Sequence, residues 1–244
     1  MISKMKRAST GTAVSLTLIV AATAFADDPT LNLALNSDQW VDTTGRNNGT
    51  GQYVFEDVVE SLNGRLDYRV DVLPSPTSVL GFSFDITNTT GATQVYTLTS
   101  GIAVGAMMDG CLLGASIGGS VTDANFDGSA SLSSYFSNPL FWGGIDYSAP
   151  SQLQLATLIN APFTINAPFI GGTASVGPAS IGLPGPSVEG AAFAAGYQTI
   201  ALRFALSAGD RASFSGVFVL QPIPAPAAFA SFALSGLLVR RRRR

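Results

Sequence analysis

Between Leu66 and Val72 an apolar side chain stands at every second position, Leu66, Tyr68, Val70 and Val72, with Asp67, Arg69 and Asp71 between them. That two-residue period belongs to a strand with one dry face and one wet face, and it excludes a helix over the same stretch. Asn63-Gly64 just ahead of it is a hairpin signal. The same alternation returns in Phe82, Phe84 and Ile86, breaks at Asn88-Thr89-Thr90-Gly91, and resumes in the β-branched and aromatic run Thr93–Thr99. It returns again in Ile200, Leu202, Phe204 and Leu206, turns at Ser207–Asp210, and continues through Ala212, Phe214, Gly216, Phe218 and Leu220. Each of these last two pairs reads as a hairpin.

Shorter strands are expected in the Gly-rich stretch 101–121 and at 129–136, 140–147 and 153–159, with a turn at 123–128. Residues 53–62 fit a strand or one short helical turn about equally, because Val54, Phe55, Val58, Val59 and Leu62 match both spacings. Residues 161–190 are rich in Gly, Pro, Ala and Ser and read as a long connection or a pair of irregular edge strands, where proline is tolerated. They overlap a small tandem echo, Ile159–Phe163 and Ile165–Phe169, and two copies do not make a solenoid. Many short strands separated by Gly and Asn turns predict an all-β chain, a single β-sandwich with jelly-roll-like connectivity.

The two ends have a different character. Lys4, Lys6 and Arg7 precede an apolar stretch, Ala13–Ala24, and Ala24-Phe25-Ala26 places small residues at a cleavage position. Residues 1–26 therefore read as a cleavable signal peptide, cut after Ala26 to leave Asp27 first. At the other end Pro222 and Ile223 lead into Pro224-Ala225-Pro226. An uncharged run, Ala227–Val239, follows, and then five arginines, Arg240, Arg241, Arg242, Arg243 and Arg244. As a helix the run would rise only about 20 Å, short of a hydrocarbon core of about 30 Å. Basic flanks of this kind stay on the cytoplasmic side.

Residues 222–244 resemble the C-terminal sorting signal of PEP-CTERM proteins, the exported substrates of exosortases in Gram-negative bacteria, with Ala225 in place of the usual glutamate. The resemblance implies an exosortase-like sorting protease as partner, transient anchoring in the inner membrane by a short apolar helix, cleavage near the proline motif, and delivery to the cell surface or extracellular matrix. The strand-rich body is also similar to bodies found ahead of such signals, which carry no assigned activity.

The body, residues 27–221, is long enough for one substantial core. It holds all sixteen acidic residues against five arginines, Arg46, Arg65, Arg69, Arg203 and Arg211, a formal charge of −11. That balance opposes nucleic-acid binding and suits solubility outside the cell. Histidine is absent and Cys111 is the only cysteine. Ser-His-Asp and Cys-His catalysis, imidazole metal sites and an intrachain disulfide are thereby excluded. Met107, Met108, Leu112 and Leu113 around Cys111 predict a buried thiol.

Three groups remain as candidate sites. Asp123, Asn125 and Asp127 followed by Gly128 match the opening of a calcium loop, in which alternating oxygen side chains converge. Position twelve of that loop is Ser134, which excludes an ordinary EF-hand, and the same residues serve an ordinary turn. Calcium is the one ion with a ligand pattern here, and no other cofactor is expected. Glu56, Glu60 and Glu189 are the only glutamates. A carboxylate-dependent polysaccharide hydrolase would need two carboxyl groups across one cleft, and Glu56 and Glu60 are expected to share a face only if 53–62 is helical. Trp40, Phe141, Trp142 and Tyr147 offer a sugar-stacking platform, with core packing the alternative for Phe141 and Trp142. The sequence thus predicts a non-enzymatic, exported surface or matrix protein. Its alternatives are a carbohydrate-binding or adhesive module, calcium-assisted or not, with extracellular polysaccharide as partner, and then the hydrolase. Mass spectrometry of the surface-exposed protein is expected to find Asp27 at its N-terminus and no Arg240–Arg244; an intact arginine tail there would overturn the sorting reading.

Overall fold

The computed structural model describes residues 29–74, 76–146 and 152–223. Several of the sequence expectations lie outside the described residues: the signal segment with Ala24 and Ala26, the motif Pro224-Ala225-Pro226, the apolar run after it, and Tyr147. The same holds for the arginine tail, Arg240, Arg241, Arg242, Arg243 and Arg244. Among the described residues the chain is all-β. Its strands are β1 (Leu31–Leu35), β2 (Asp38–Asp42), β3 (Arg46–Asn47), β4 (Tyr53–Ser61), β5 (Gly64–Leu73), β6 (Ser78–Asn88), β7 (Gln94–Val104) and β8 (Cys111–Thr122). They continue as β9 (Ala130–Ser133), β10 (Phe141–Asp146), β11 (Gln152–Leu158), β12 (Thr164–Ala167), β13 (Thr173–Ile181), β14 (Val188–Gly190), β15 (Gly196–Leu206) and β16 (Arg211–Pro222). No helix of the described residues is long and apolar enough to cross a membrane.

The strands form two antiparallel sheets of eight strands each. The first runs β11-β10-β15-β7-β1-β2, with β9 also paired to β15 and β12 paired to β9; the second runs β13-β8-β16-β6-β5-β4-β3, with β14 paired to β8. Their inner faces share one hydrophobic core that takes Leu31, Leu98, Phe141 and Phe204 from the first sheet and Val70, Phe84, Phe214 and Phe218 from the second. Aromatic rings meet across it: Phe204 lies 5.0 Å from Phe214 and Phe82 lies 6.1 Å from Phe141, centroid to centroid.

The alternation read from the sequence survives intact, since Leu66, Tyr68, Val70 and Val72 are all buried on β5. The ambiguous stretch 53–62 is a strand, β4, which turns through Leu62-Asn63 into β5 with Ser61 opposite Gly64. Residues 161–190 supply short strands and an edge strand, β13, whose register slips between Val176 and Ala179 where Gly177-Pro178 interrupts the ladder. The two halves of the tandem echo are not equivalent: Ala167 is buried, whereas Ala161 is only partly so.

The two hairpins expected at 82–99 and 200–220 are corrected. β6 pairs with β5 and β16, while β7 pairs with β1 and β15, so residues 89–93 carry the chain from one sheet to the other. Residues 207–210 do the same between β15 and β16. A turn signal between two alternating runs does not say whether the runs lie side by side or face to face. Here both runs turn their apolar residues inward, and stacking them across the core, sheets being about 10 Å apart, buries both faces at once.

The two corners sit together and Asn88 joins them. Its side chain is fully buried, and its Nδ2 donates to the carbonyls of Ala92 (2.8 Å), Leu206 (3.1 Å) and Ser207 (2.8 Å). Its Oδ1 accepts from the Thr90 amide at 3.0 Å, and its own amide donates to the Asp210 carbonyl at 2.9 Å. At the opposite end of the same strands Gln198 of β15 accepts a hydrogen bond from Ser78 of β6 and donates to the Phe218 carbonyl of β16 at 2.8 Å. The Tyr68 hydroxyl donates across the sheets to Asp42 Oδ2 at 2.8 Å. Burial alone would raise the Asp42 pKa, but the bonds from Thr44 and Tyr68 outweigh it and hold the carboxyl below its ordinary value.

Cys111 is buried as expected, and burial pushes its thiol pKa up. Asn88→Ala would take the side-chain donor from the buried Leu206 carbonyl and from the part-buried Ala92 and Ser207 carbonyls at once, and at a cost of about 1–3 kcal/mol per unsatisfied group it is expected to lower unfolding stability by about 3 kcal/mol, read from the midpoint of a urea titration.

Candidate functional site

Strand register determines what faces outward on the first sheet. One row across the strands reads Gln39, Ala34, Thr99, Ala201, Trp142, and the next reads Val41, Asn32, Gly101, Thr199, Gly144. The middle of both rows is small. That hollow is a groove of about 360 Å³ lined by those residues other than Gly144, together with Leu33, Trp40, Ser100, Tyr197 and Arg203, a volume within the usual range for ligand clefts. Gly101 keeps its centre open, since a Cβ there would lie 2.8 Å from Thr199 Oγ1. Beside the groove, a Cβ on Gly144 would lie 2.2 Å from the Leu153 carbonyl oxygen and 2.8 Å from the Trp142 ring, which spreads over that glycine two residues along the same face.

The aromatic platform expected from the sequence is only partly present. Phe141 points into the core and is fully buried. Trp142 points outward but retains only 7% exposure, so it forms the groove floor. Trp40 stands opposite Leu33, which turns it toward the core side, where it packs while bordering the groove. Tyr147 lies outside the described residues. Sequence reasoning missed Tyr197, which is 41% exposed, as well as Arg203, Asn32 and Gln39. Tyr197, Thr199, Ala201 and Arg203 alternate outward on β15, and that period was the available signal; it is the polar complement of the inward set Ile200, Leu202 and Phe204.

Arg203 ends the groove. Its amide donates to the Leu140 carbonyl at 2.9 Å and its Nη1 reaches Asn138 Oδ1 at 3.5 Å. Asn138 in turn donates from Nδ2 to the Tyr135 carbonyl at 3.1 Å, so the loop carrying the exposed Tyr135 and Phe136 is tied to the guanidinium.

The glutamates lie elsewhere. Glu56 and Glu60 do share a face, contrary to expectation for a strand, because residues four apart fall on one side of a strand as well as of a helix. They stand opposite Arg69 and Arg65 on the second sheet's outer surface. There Glu56 bonds Arg46 and Arg69, and Glu60 lies 3.9 Å from Arg65. Glu189 is exposed on β14. None of the three lines the groove.

The candidate calcium loop is one turn, and its three residues are brought together. Asp123 is 1% exposed; its Oδ1 accepts the Asp127 amide at 3.2 Å and its Oδ2 the amides of Gly128 (2.9 Å) and Gly171 (3.0 Å). Asn125 Oδ1 accepts the Asp127 amide at 2.9 Å, while its Nδ2 donates to Asp127 Oδ2 at 3.0 Å and to the Ala208 carbonyl at 2.8 Å. Asp127 Oδ1 accepts the Ser129 amide at 3.0 Å. The loop thus braces the β15–β16 corner. Among the described residues no group of three or more carboxylates or thiols has metal-site geometry.

Asp210, fully buried at that corner, bonds Ser207 and the Ala124 amide. Burial raises its pKa, those bonds oppose the rise, and the charges of Asp127 and Asp123 add to it, leaving the carboxyl above its ordinary value.

A scan against protein-family models and searches of curated proteins and solved structures found no match.

A group whose pKa is raised by folding adds stability that is complete below its unfolded pKa, about 4 for aspartate, and is lost as pH rises through the folded value. Asp210→Asn, which removes the charge and keeps the shape, is therefore expected to gain stability over the unmutated protein at pH 7 and to lose that advantage at pH 4, in urea titrations at the two pH values. Asp123→Ala strands the Gly128 and Gly171 amides, the Asp127 amide keeping Asn125 Oδ1, and is expected to cost about 2 kcal/mol by the same measurement.

Proposed function

We propose that the chain is an exported, non-enzymatic surface or matrix protein whose jelly-roll-like β-sandwich binds extracellular polysaccharide in the groove on its first sheet. The observation that carries the reading is that groove: an open hollow with a tyrosine ring, amide and hydroxyl side chains, and a guanidinium around a floor of small residues and Trp142. Such a lining meets a sugar ring on its apolar face and on its hydroxyls together. The jelly-roll-like sandwich is supported by two antiparallel sheets around one core, joined by corners at residues 89–93 and 207–210.

Export rests on the signal-like residues 1–26, and sorting by an exosortase-like protease rests on residues 222–244, with transient inner-membrane anchoring and then delivery to the surface. In that reading Arg240, Arg241, Arg242, Arg243 and Arg244 hold the distal end on the cytoplasmic side until cleavage. A hydrolase using glutamate would need a different place on the molecule, since no Asp or Glu among the described residues lines the groove. A calcium-assisted form of the binding reading would draw on Asp123, Asn125 and Asp127, which sit at the corner and not in the groove.

Affinity electrophoresis of the full-length protein through gels containing soluble polysaccharides is expected to show retardation by at least one polymer. Tyr197→Ala should weaken it about tenfold, the scale of one lost aromatic contact of about 1.4 kcal/mol. Retardation that Tyr197→Ala leaves unchanged would remove the groove from the reading.

A further inference from the structure

The groove's charge is unlike that of the rest of the body. The body carries sixteen acidic residues and five arginines, yet the groove lining contains one cation, Arg203, and no carboxylate among the described residues. Arg46, Arg65 and Arg69 each have a carboxylate partner within 4 Å. Arg203 forms no ion pair among the described residues; its guanidinium has one neutral acceptor, Asn138 Oδ1 at 3.5 Å. The residue is half-buried. A guanidinium has five N–H donors in a plane and matches a carboxylate with two parallel bonds. Leaving most of those donors unspent in a concave surface, on a protein with an excess of acids available to neutralise them, fits a ligand that brings its own negative charge.

We infer that the groove selects an anionic polysaccharide, a chain containing uronic acid units, with a sugar carboxylate on Arg203 and neighbouring rings extending toward Tyr197. This rests on the sugar-binding reading of the same groove. Tyr197 and Arg203 are six residues apart on β15, about 20 Å at the rise of a strand, a span for an oligosaccharide segment rather than one sugar. Asn32, Gln39, Thr99 and Thr199 lie between them for the hydroxyls. The body's formal charge of −11 opposes such a polymer over most of its surface, so the groove supplies the local attraction and the rest of the body limits non-specific adhesion.

The test uses the full-length protein, terminal arginines included, in affinity gels containing polygalacturonate, the same polymer with its carboxyl groups methyl-esterified, or dextran sulfate. Polygalacturonate is expected to bind at least tenfold more tightly than its ester, and more tightly than dextran sulfate at equal charge density. Arg203→Gln should weaken polygalacturonate binding about tenfold to a hundredfold, the scale of a charge-assisted bidentate contact, while leaving binding of the ester unchanged, which also reports that the groove is folded. Arg203→Lys should recover part of the loss. Arg211→Gln, on the outer surface of the second sheet, should change nothing. Equal binding of acid and ester overturns the charge preference and leaves the sugar-binding reading standing. Binding that Arg203→Gln does not weaken assigns the attraction to another part of the chain, and tighter binding of dextran sulfate overturns the carboxylate as the recognised group; either defeats the inference. No binding to any polymer defeats the sugar-binding reading itself.

Discussion

One buried amide holds the architecture together. Asn88 bonds both corners where the chain leaves one sheet for the other, and the strands that meet there, β6, β7, β15 and β16, are the long central members of the two sheets. A sheet-to-sheet corner cannot satisfy its backbone through a ladder as a hairpin does, because its two strands have different neighbours. Asn88 supplies the missing partners from within, and its cost of burial is met by bonding both ends of its amide. Gln198 performs the corresponding task at the far end of the same strands. Between these two polar ties the core is apolar apart from the buried hydroxyl of Ser100, and the ties set which residue of one sheet lies over which residue of the other, something non-directional burial leaves open.

That alignment also separates the two outer surfaces. On the second sheet, outward positions of β4 and β5 set Glu56 and Glu60 beside Arg65, Asp67, Arg69 and Asp71 in a ladder of exposed ion pairs. Exposed pairs of this kind contribute little stability and mainly keep an edge soluble. On the first sheet the outward positions shrink to Ala34, Gly101 and Ala201 at the centre, and the hollow left behind is where polar groups converge. The two faces of one molecule are thus chemically distinct because outward positions carry no packing duty and are free to differ.

Local pattern and long-range placement were not equally legible in the sequence. The alternation of Leu66–Val72 and Ile200–Leu206 marked true strands because burial of one face imposes a period that nothing else imitates. The turns at Asn88–Gly91 and Ser207–Asp210 were also real, but a hairpin and a corner use the same Gly, Asn, Ser and Asp residues, and only the partners of the flanking strands distinguish them. Glu56 and Glu60 share a strand face because their spacing is even, a fact that the helical alternative for 53–62 obscured. The groove was the hardest feature to foresee. Asn32, Thr99, Trp142 and Arg203 come from four strands far apart in the chain, and the strand order β10-β15-β7-β1 that joins them is written in no local motif. The Asp123–Gly128 turn, by contrast, was visible as a motif whose chemistry served two purposes equally well, and its side chains as folded are committed to backbone amides.

The position of β16 has a further consequence for how such a chain reaches its folded form. It is the last strand described, yet it lies between β8 and β6 in the interior of the second sheet, and its ladder runs on until the Ile223 amide meets the Gly110 carbonyl at 3.3 Å. A chain emerging from its N-terminus cannot close that sheet early; β6 and β8 must wait, each with an open edge, until the final strand slides between them. The body is therefore a zip fastener whose slider arrives last, and the second sheet closes only once residues 211–222 have emerged.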